Sequence, residues 1–551
     1  MINVGVSRVH NSAVTLLKDG EIVFHIENER LSNIKYDAYP FHALAKLPEH
    51  VPFVDNICIA GVGPTVPVEN FKSYDVYTTF ISRLNKSFYQ KDMEIHDLWE
   101  HHHKLHAACA FYNSGFDNSL CIIKDGMGSD YWIHDPRFLP RSFGRENAST
   151  FTASYPAKFE LVDKHVIVGF DCDVTIDGVV KVSKNASEAL AFQKTSKEFG
   201  FHELDAGKVM GMSSYGKTES HQIFDKGVVS NDIIAFETGD VRTGYVVPEI
   251  GEEFQEQADF AYSLQKQSQE NVKQYILKMV EQTGIKNVCL SGGFFLNCVA
   301  NYEYLKDLPS DIKIYIEPIS SDAGTSLGAA KLIHHEQTGD MTIREQKTLY
   351  HGFSYSYTDQ DIYEKLQEGE SIKKISPTAV AQLIADKNIV ALFQGKSEAG
   401  PRALGNRSIL YDPRDPFGKD FVNKIKQREW FRPFAGSILH EKVSEWFDMR
   451  GLEESPFMMY AVNVIQPEKI PAITHVDNTC RVQTVKPEQN KNYYDLIKAF
   501  DEITGVPILF NTSFNLAGDC IVETLDDALR TLRACDIQYL YLPDNGILLS
   551  K

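Results

Sequence analysis

The segment 101–126 constrains the fold more than any other part of the chain, because its periodicity changes in the middle. Its first half places histidines and small apolar residues at helical spacing, and its second half is a β-like apolar run that ends just before Asp125. An α-helix turns by about 100° per residue, so His102 and His106 lie one turn apart on one face and can bind the same ion. We therefore expect a helix and a strand that bring two imidazoles and a carboxylate to one metal site.

Two alternatives to this site stay open on the sequence alone. His103 and His106 lie three residues apart and form a second, weaker ligand pair. Adjacent histidines on an amphipathic helix are also typical of a solvated face. The strand and carboxylate that follow favour the metal site, for which iron, manganese and zinc are all suitable ions.

The length of the chain predicts more than one domain. At 551 residues, with 43% hydrophobic and 24% charged residues, it has the composition of a globular protein that buries a sizeable core. The first residues lack a basic region followed by an apolar core, and no run of about 18 apolar residues occurs. We therefore expect two large domains, no membrane segment and a cytoplasmic location.

The cysteines and the net charge exclude several classes of protein. The nine cysteines are scattered without a CxxC pair, which predicts reduced core residues and argues against a zinc ribbon or a disulfide framework. A formal charge of -19 disfavours a surface that embraces nucleic acid. One local basic groove is still indicated within 402–432. Its basic residues are Arg402, Arg407, Arg414, Lys424, Lys426, Arg428 and Arg432.

The first half of the chain repeats a strand followed by Asp-Gly. The pattern occurs at 13–24 as a hairpin signature, and again at 121–126 and 174–180. This recurrence predicts a fold made of related β-rich halves.

A glycine turn follows a further predicted strand. The apolar run 287–290 leads into Ser291, Gly292 and Gly293, after which the chain has helical character. A strand, a glycine turn and a helix start place backbone N–H groups where an anion can bind.

The composition becomes polar and aromatic around 337–375, and we place a domain boundary near 345. Beyond it, the strand-like run 506–510 leads into a polar cluster. The members of this cluster are Asn511, Thr512, Ser513 and Asn515. They are suited to hydrogen-bond a polar ligand, although polar residues after a strand also serve as helix caps.

Taken together, these motifs resemble the two-domain O-carbamoyltransferases that modify antibiotics and nodulation factors. The first set of matching segments is HNSA at 10–13, ENERLS at 27–32, HHKLHA at 102–107, DGMG at 125–128, GKVMG at 207–211, LSGG at 290–293 with Asn297, and DAG at 322–324. The second set is GPRALGNRSI at 400–409, KQREWFRPFA at 426–435, HVD at 475–477, RVQT at 481–484 and NTSFN at 511–515. The second set is the more diagnostic, because plain sugar kinases have no such domain.

The resemblance implies an α/β and α+β architecture of two domains. Residues 1–345 would form a metal-binding carbamoyl-transfer domain of the sugar kinase and actin superfamily, similar to the subunit that makes threonylcarbamoyladenosine in tRNA. Residues 346–551 would form a YrdC-like α/β domain that makes carbamoyl adenylate.

The resemblance also implies the chemistry of the second domain. Carbamoyl phosphate would lose its phosphate there, and the carbamate would attack ATP, supplied with Mg²⁺, to give carbamoyl adenylate and pyrophosphate. Arginine pairs bidentately with phosphate, whereas lysine acts as a point charge. The residues expected at this site are Arg402, Arg407, Lys426, Arg428, Arg432, Asn511, Thr512, Ser513 and Asn515. The alternative for the basic residues is a solvated surface.

In the first domain, the resemblance implies transfer of the carbamoyl group to an acceptor hydroxyl. The expected metal ligands, for a divalent ion that the resemblance indicates to be Fe²⁺, are His102, His106, Asp125 and Asp322. The residues expected to bind the cofactor in this domain are Gly292, Gly293 and Asn297. An isolated Asp at the position of Asp322 would otherwise be read as a helix N-cap.

His10 is the expected general base, because the pKa of histidine lies near neutrality. The family usually has Asp after this histidine, whereas Asn11 stands here. Lys35 is a second catalytic candidate that could hold the acceptor or phosphate, with a solvated surface lysine as the alternative.

The acceptor is expected to be a small molecule with a hydroxyl group, and a hydroxymethylated nucleobase is the less favoured choice. The loops within 63–100 and 130–165 are the expected acceptor regions. A homodimer stays open. The competing functions are a sugar kinase-like phosphotransferase and a sensor of nucleotide or carbamoyl phosphate without catalytic activity.

Overall fold

The structure is a computed structural model that describes residues 1–62, 81–83, 85–86, 91–138, 142–170, 172–224, 230–235, 241–246 and 253–551. The chain divides into two compact units. The first contains Met1–Asn28 and Tyr36–Gln346, and the second contains Glu29–Lys35 and Lys347–Lys551. The boundary between Gln346 and Lys347 lies next to the one expected near 345. The presence of the N-terminal segment Glu29–Lys35 in the second unit was not predicted from the sequence.

The first unit contains two mixed sheets and a separate hairpin. Its strands are β1 (Ile2–Ser7), β2 (Ala13–Lys18), β3 (Glu21–Glu27), β4 (Asn56–Ala60), β5 (Glu94–Asp97), β6 (Asn118–Lys124), β7 (Asp130–Trp132), β8 (Phe143–Ser154), β9 (Lys158–Ile167), β10 (Asp173–Ile176), β11 (Val180–Ser183), β12 (Ser230–Ala235), β13 (Val241–Val246), β14 (Asn287–Ser291) and β15 (Lys313–Ile316). The first sheet has the order β3-β2-β1-β4-β5, the second has the order β10-β11-β9-β8-β6-β14-β15 with β7 beside β8, and β12 pairs with β13.

The two sheets share one pattern of connections. In the first, β1 pairs antiparallel with β2 and parallel with β4, while β3 and β5 extend the two sides. In the second, β6, β8, β9, β14 and β15 repeat these directions in the same order. This confirms the prediction of related β-rich halves. The Asp-Gly pairs on which this prediction was based are not at equivalent positions of the two sheets. One joins β2 to β3, and another follows β6.

Two buried helices separate the sheets of the first unit. Its helices are α1 (Asn28–Ser32, which continues into the second unit), α2 (Phe41–Ala45), α3 (Leu47–His50), α4 (His102–Ser114), α5 (Glu188–Glu198), α6 (Ala206–Ser213), α7 (Phe254–Thr283), α8 (Cys298–Asp307) and α9 (Ala323–Thr338). Helix α9 packs on the first sheet, α4 packs on the second, and the two helices pack on each other. Gly328 permits this contact, because a Cβ there would lie 2.0 Å from the carbonyl oxygen of Leu105.

The second unit is built on one ten-stranded mixed sheet. Its strands are β16 (Ser371–Lys374), β17 (Val390–Phe393), β18 (Arg407–Tyr411), β19 (Ala435–Leu439), β20 (Phe447–Asp448), β21 (Ala461–Val464), β22 (Thr479–Val485), β23 (Ile508–Ser513), β24 (Tyr539–Leu542) and β25 (Ile547–Ser550). Their order is β16-β25-β24-β17-β18-β23-β19-β22-β21-β20. The helices are α10 (Asp359–Glu364), α11 (Pro377–Ala385), α12 (Gly418–Ile425), α13 (Val443–Trp446), α14 (Lys491–Thr504) and α15 (Leu525–Arg533). Both units are therefore mixed α/β, as the sequence predicts.

The helices and the cysteines bear on the expectations for membrane segments and disulfides. None of the helices in the described ranges has the length and apolar character needed to cross a membrane. All nine cysteines lie in the described part of the chain, and none of them forms a disulfide.

Candidate functional site

Four side chains of the first unit converge on one buried point. His102 and His106 come from the first turns of α4, which ends at Gly115 in a left-handed conformation. Asp125 directly follows β6, and Asp322 directly precedes α9. One ligand atom from each of these four residues lies within 4.8 Å of the other three. The helix and strand predicted for 101–126 are thus present, and they bring these groups together.

The distances between the ligand atoms fit a single ion. The two Nε2 atoms of His102 and His106 are 3.2 Å apart, and Nε2 of His102 lies 3.3 Å from Oδ2 of Asp125. Oδ1 of Asp322 lies 3.6 Å from one imidazole and 3.7 Å from the other. Ligands held at about 2.1 Å in a tetrahedral site are separated by about 3.4 Å. Two imidazoles and two carboxylates are therefore spaced as the first shell of a divalent metal.

Asp322 does not act as a helix cap. It occupies the N-cap position of α9, but its side chain makes no capping hydrogen bond. The carboxylate instead faces the histidines, with Oδ2 also 3.3 Å from Nδ1 of His10. The N-cap alternative is therefore not the arrangement in the structure.

The charges of this site are mutually dependent. Burial opposes ionisation of His102, but Asp322 and Asp125 outweigh it and raise the pKa of the imidazole to about 9. Burial likewise opposes ionisation of Asp125, and the neighbouring histidines lower the pKa of its carboxyl group. The pKa of Asp322 is also lowered, because His10 and His102 outweigh its burial. Two buried carboxylates in one place need positive charge, which a metal ion supplies.

His103 is not part of this group. Its ring is buried, Nδ1 lies 2.8 Å from Oγ of Ser149, and none of its ring nitrogens belongs to the group of converging ligand atoms. Burial lowers its pKa to about 4, so the ring is neutral near pH 7. The structure therefore selects the pair His102 and His106 over the alternative pair with His103.

His10 lies in the turn between β1 and β2 and is the most exposed member of the site, with a side chain that is 41% accessible. An exposed imidazole beside a buried carboxylate can exchange a proton with a bound molecule. Asn11, which follows it, has a φ of 61°. Asn and Asp are the non-glycine residues that best tolerate this region, so Asn11 fits the turn as well as the usual Asp.

The glycine turn after β14 positions Asp125. Gly292 has a φ of 96°, and a Cβ there would lie 2.4 Å from the carbonyl oxygen of Lys124, the last residue of β6. The backbone N–H of Gly293 donates to Oδ1 of Asp125 at 3.0 Å. The turn was expected to offer its N–H groups to a cofactor, but this N–H group is already used by Asp125, one of the four candidate metal ligands.

Asn297 is also committed within the protein. Its Oδ1 accepts from the backbone N–H of Ala300 and caps α8, and its amide pairs with the side chain of Gln265. This network leaves Asn297 in a structural position, contrary to the expectation of cofactor binding.

Polar residues that the sequence did not single out hold the Asp125 loop in place. Asn147 donates to the carbonyl oxygen of Gly126 at 2.9 Å and accepts from the backbone N–H of Ser187 at 2.7 Å. The hydroxyl of Ser187 in turn donates to the carbonyl oxygen of Asp125. These contacts join distant parts of the chain, so no local spacing could reveal them.

In the second unit, four cationic side chains cluster. Burial and the charges of Arg432 and Arg481 lower the pKa of Arg428, and burial with Arg428 and Arg432 lowers that of Lys426. Glu429 is a nearby acid, 3.6 Å from Arg432. Arg428 also lies over the ring of Phe434, at 4.8 Å from its centre. Arg481, on β22, occurs in the matching segment 481–484 but was not among the expected site residues.

Lys426 connects this cluster to the end of β23. Its ammonium donates to the carbonyl and hydroxyl oxygens of Ser513 and to Oδ1 of Asn515 at 3.0 Å. Ser513, Asn515 and Lys426 are therefore neighbours, as their expected common role requires. Asn511 and Thr512 are buried within β23, and the amide of Asn511 donates to the carbonyl oxygen of Ala403. Asn511 thus supports the chain around 403 from inside the protein.

Arg407 does not act as a phosphate clamp in this structure. Its side chain is fully buried, and its guanidinium lies over Phe393 at 3.9 Å from the ring centre. All five of its N–H donors are used by backbone carbonyl oxygens, those of Gln394, Gly395, Asn406 and Glu523. The prediction for Arg407 is therefore corrected, because no donor is left for a ligand.

Arg402 and Lys35 are the remaining candidates. Arg402 is partly buried in the loop between β17 and β18. Lys35 belongs to the segment counted with the second unit, and its ammonium lies 2.8 Å from the carboxylate of Glu29. Their roles stay predictions. Of the expected acceptor regions, residues 63–80, 84, 87–90 and 139–141 lie outside the described residues.

Comparison with known proteins gives this arrangement a family. The model of the carbamoyltransferase N-terminus matches residues 58–331, and that of the carbamoyltransferase C-terminus matches 381–550. The nodulation protein NolNO of Sinorhizobium fredii is 32% identical over 97% of this chain and 78% of its own length. The 3'-hydroxymethylcephem-O-carbamoyltransferase of Streptomyces clavuligerus is 31% identical over 46% of this chain and 47% of its own.

Among solved structures, full-length HypF in its phosphate- and nucleotide-bound form covers 62% of this chain and 56% of its own, with 15% identity and a TM-score of 0.37, a likeness too distant to define a shared fold. The matches along the sequence are decisive. The molecule is a two-unit transferase with a buried ligand cluster in one unit and a basic cluster in the other. The chain belongs to the carbamoyltransferase family, and it is an enzyme that transfers carbamoyl groups.

Proposed function

We propose that the chain is an ATP-dependent O-carbamoyltransferase in which each unit performs one half of the reaction. The second unit hydrolyses carbamoyl phosphate with one water molecule to carbamate and phosphate, and the carbamate attacks ATP to give carbamoyl adenylate and pyrophosphate. The first unit transfers the carbamoyl group from the adenylate to an acceptor hydroxyl, and AMP leaves. The observation that carries this proposal is the clustering of Lys426, Arg428, Arg432 and Arg481, which lie close enough that, in addition to burial, the neighbouring charges lower the pKa values of Lys426 and Arg428.

The donor reaction handles carbamoyl phosphate, a triphosphate and pyrophosphate in one place. The guanidinium groups of Arg428, Arg432 and Arg481 repel one another, and an anionic ligand relieves this repulsion. Lys426 is held by Ser513 and Asn515, so its charge is fixed in position before the ligand arrives. Pre-positioned charges of this kind stabilise the charge that develops during phosphoryl chemistry.

The transfer reaction belongs to the cluster of the first unit. A divalent ion held by His102, His106, Asp125 and Asp322 would act there as a Lewis acid, and the resemblance favours Fe²⁺. His10, beside Asp322, takes the proton from the acceptor hydroxyl as that oxygen attacks the carbamoyl carbon. Asp322 orients the imidazole of His10 through the contact between its carboxylate and Nδ1. The acceptor is a small molecule with a hydroxyl group.

The finer fold assignments form part of the same proposal. We propose that the first unit has the sugar kinase and actin fold, which the shared strand order of its two sheets supports. The second unit would be YrdC-like.

The purified chain, incubated with ATP, Mg²⁺ and carbamoyl phosphate without an acceptor, tests the donor half. We expect pyrophosphate and phosphate release that depends on carbamoyl phosphate, together with carbamoyl adenylate detected by mass spectrometry. Formation of ADP would favour a kinase instead, and binding of both ligands without turnover would favour a sensor. Either result would overturn the proposal.

A further inference from the structure

Arg30 lies in the N-terminal part of the sequence but is buried in the second unit. It belongs to the segment Glu29–Lys35, and only 3% of its surface is accessible. One terminal nitrogen of its guanidinium donates to the carbonyl oxygens of Glu398 and Gly400, at 3.4 and 3.1 Å. Arg30 thus holds the start of the loop that carries Arg402.

The rest of this loop is also fixed by hydrogen bonds. We define the Arg402 loop as residues 398–407. Oε1 of Glu398 accepts the backbone N–H groups of Leu404, Asn406 and Arg407, at 2.7, 2.9 and 3.2 Å. The carbonyl oxygen of Leu404 accepts from Tyr350 and Gln483. A carboxylate that accepts three backbone N–H groups fixes the loop around it.

Arg30 also lies near other buried ionisable side chains. Glu398 and Glu523 are both buried, and Arg407 lies between them with every donor in use. Burial raises the pKa of the Glu523 carboxyl group, and the charges of Arg407 and Arg30 both oppose this rise. Removing Arg30 would take away one of the two positive charges that favour the ionised carboxylate.

We propose that Arg30 is a positioning residue of the donor reaction, because its contacts with Glu398 and Gly400 set the geometry of the Arg402 loop. This inference rests on the proposed function of the second unit. It implies that residues 347–551 alone do not form a complete donor site, since the segment 29–35 supplies part of its frame. A displacement of about 1 Å at a reacting group costs about 100-fold in rate.

The test is made on the full chain with Arg30→Lys, which keeps the charge but loses the planar two-donor fork. We expect kcat/KM for carbamoyl phosphate, measured by pyrophosphate release without an acceptor, to fall by about 100-fold. Arg30→Gln is the second variant if the first does not yield folded protein. The matched control is Arg530→Ala, because the exposed Arg530 donates to Asn33 of the same segment at 2.8 Å and, among the described residues, its hydrogen bonds do not involve the Arg402 loop. This control is expected to keep wild-type kinetics.

A double-mutant cycle separates positioning from general stability. If Arg30 acts through the Arg402 loop, adding Arg30→Lys to Arg402→Lys lowers kcat/KM by less than about threefold, because coupled residues are not additive. Wild-type kinetics in Arg30→Lys, or an undiminished effect in the Arg402→Lys background, would overturn the inference. Absence of pyrophosphate release from the wild-type protein would instead overturn the proposed function, so the two failures are distinguishable.

Discussion

Substitution of Gly292 by Ala tests whether the glycine turn positions the metal cluster. The new Cβ would lie 2.4 Å from the carbonyl oxygen of Lys124. Carbon and oxygen normally approach to about 3.3 Å, so the turn and the end of β6 must separate by about 0.9 Å. This movement displaces Asp125, the next residue, and weakens its hydrogen bond from Gly293.

The matched control is Gly284→Ala. Gly284 has a φ of 71°, but a Cβ there would meet nothing within 4 Å. Gly284 is in the left-handed region, where alanine costs about 1–2 kcal/mol. Gly292 has a φ of 96° and a ψ of 158°, a region essentially restricted to glycine, where alanine costs about 1–3 kcal/mol. Only Gly292→Ala adds the steric clash, which is worth a further 1–3 kcal/mol or so, about the cost of overpacking.

Urea denaturation and metal titration of the purified variants measure the two effects. We expect Gly292→Ala to unfold at a lower urea concentration than Gly284→Ala and to bind the divalent metal about 10-fold to 100-fold more weakly, as for other losses around metal ligands. Equal stability and equal metal affinity in the two variants would refute the positioning argument.

Three further predictions concern separate parts of the molecule. Arg428→Ala is expected to reduce pyrophosphate release by about 100-fold or more, because it removes one of the positive charges of the basic cluster. Pyrophosphate release by the folded variant checks this, and activity equal to that of the wild type would refute the assignment. Arg407→Lys should destabilise the protein in the absence of any ligand, because each buried carbonyl left unpaired costs about 1 kcal/mol or more; a urea midpoint equal to that of wild type would contradict the structural role. Burial lowers the pKa of His335 to about 4 where the ring stacks on Tyr112. As the pH falls, the unfolded chain therefore takes up a proton on this histidine before the folded chain does, and the stability that the neutral ring contributes is complete above about pH 6.5. The free energy of unfolding declines by at most about 1.4 kcal/mol per pH unit towards pH 4, so the difference between the urea midpoints at pH 7 and pH 5 should be smaller in His335→Phe than in the wild type.

Local patterns were sufficient to predict the core of the candidate site. The spacing of His102 and His106 and the strand before Asp125 are properties of one short segment, and the structure folds that segment as expected. Asp322 needed the family resemblance, because an aspartate before a helix is usually a cap. The recurrence of strands with Asp-Gly indicated related halves, although the shared order of the sheets depends on long-range pairing that no local motif contains.

The predictions were wrong where the hydrogen-bonding groups of a residue are used by other parts of the protein instead of by a ligand. Arg407 lies in a basic segment, but its sequence neighbours do not reveal the four carbonyl groups that surround it. Asn297 and Gly293 were misjudged for the same reason. Arg30 was not singled out from the sequence, because it lies far from residues 347–551 along the chain although it is buried among them. Such partners are set by the tertiary fold, so spacing alone cannot identify them.

The division of labour between the two units is the central claim, and Asp322→Ala of the full chain tests it most directly. The measurement is pyrophosphate release that depends on carbamoyl phosphate, made without an acceptor. We predict release at the wild-type rate, because the basic cluster of the second unit is intact, with no carbamoyl transfer when an acceptor is supplied. Loss of pyrophosphate release in this variant would show that both half-reactions depend on the metal cluster, and it would contradict the account.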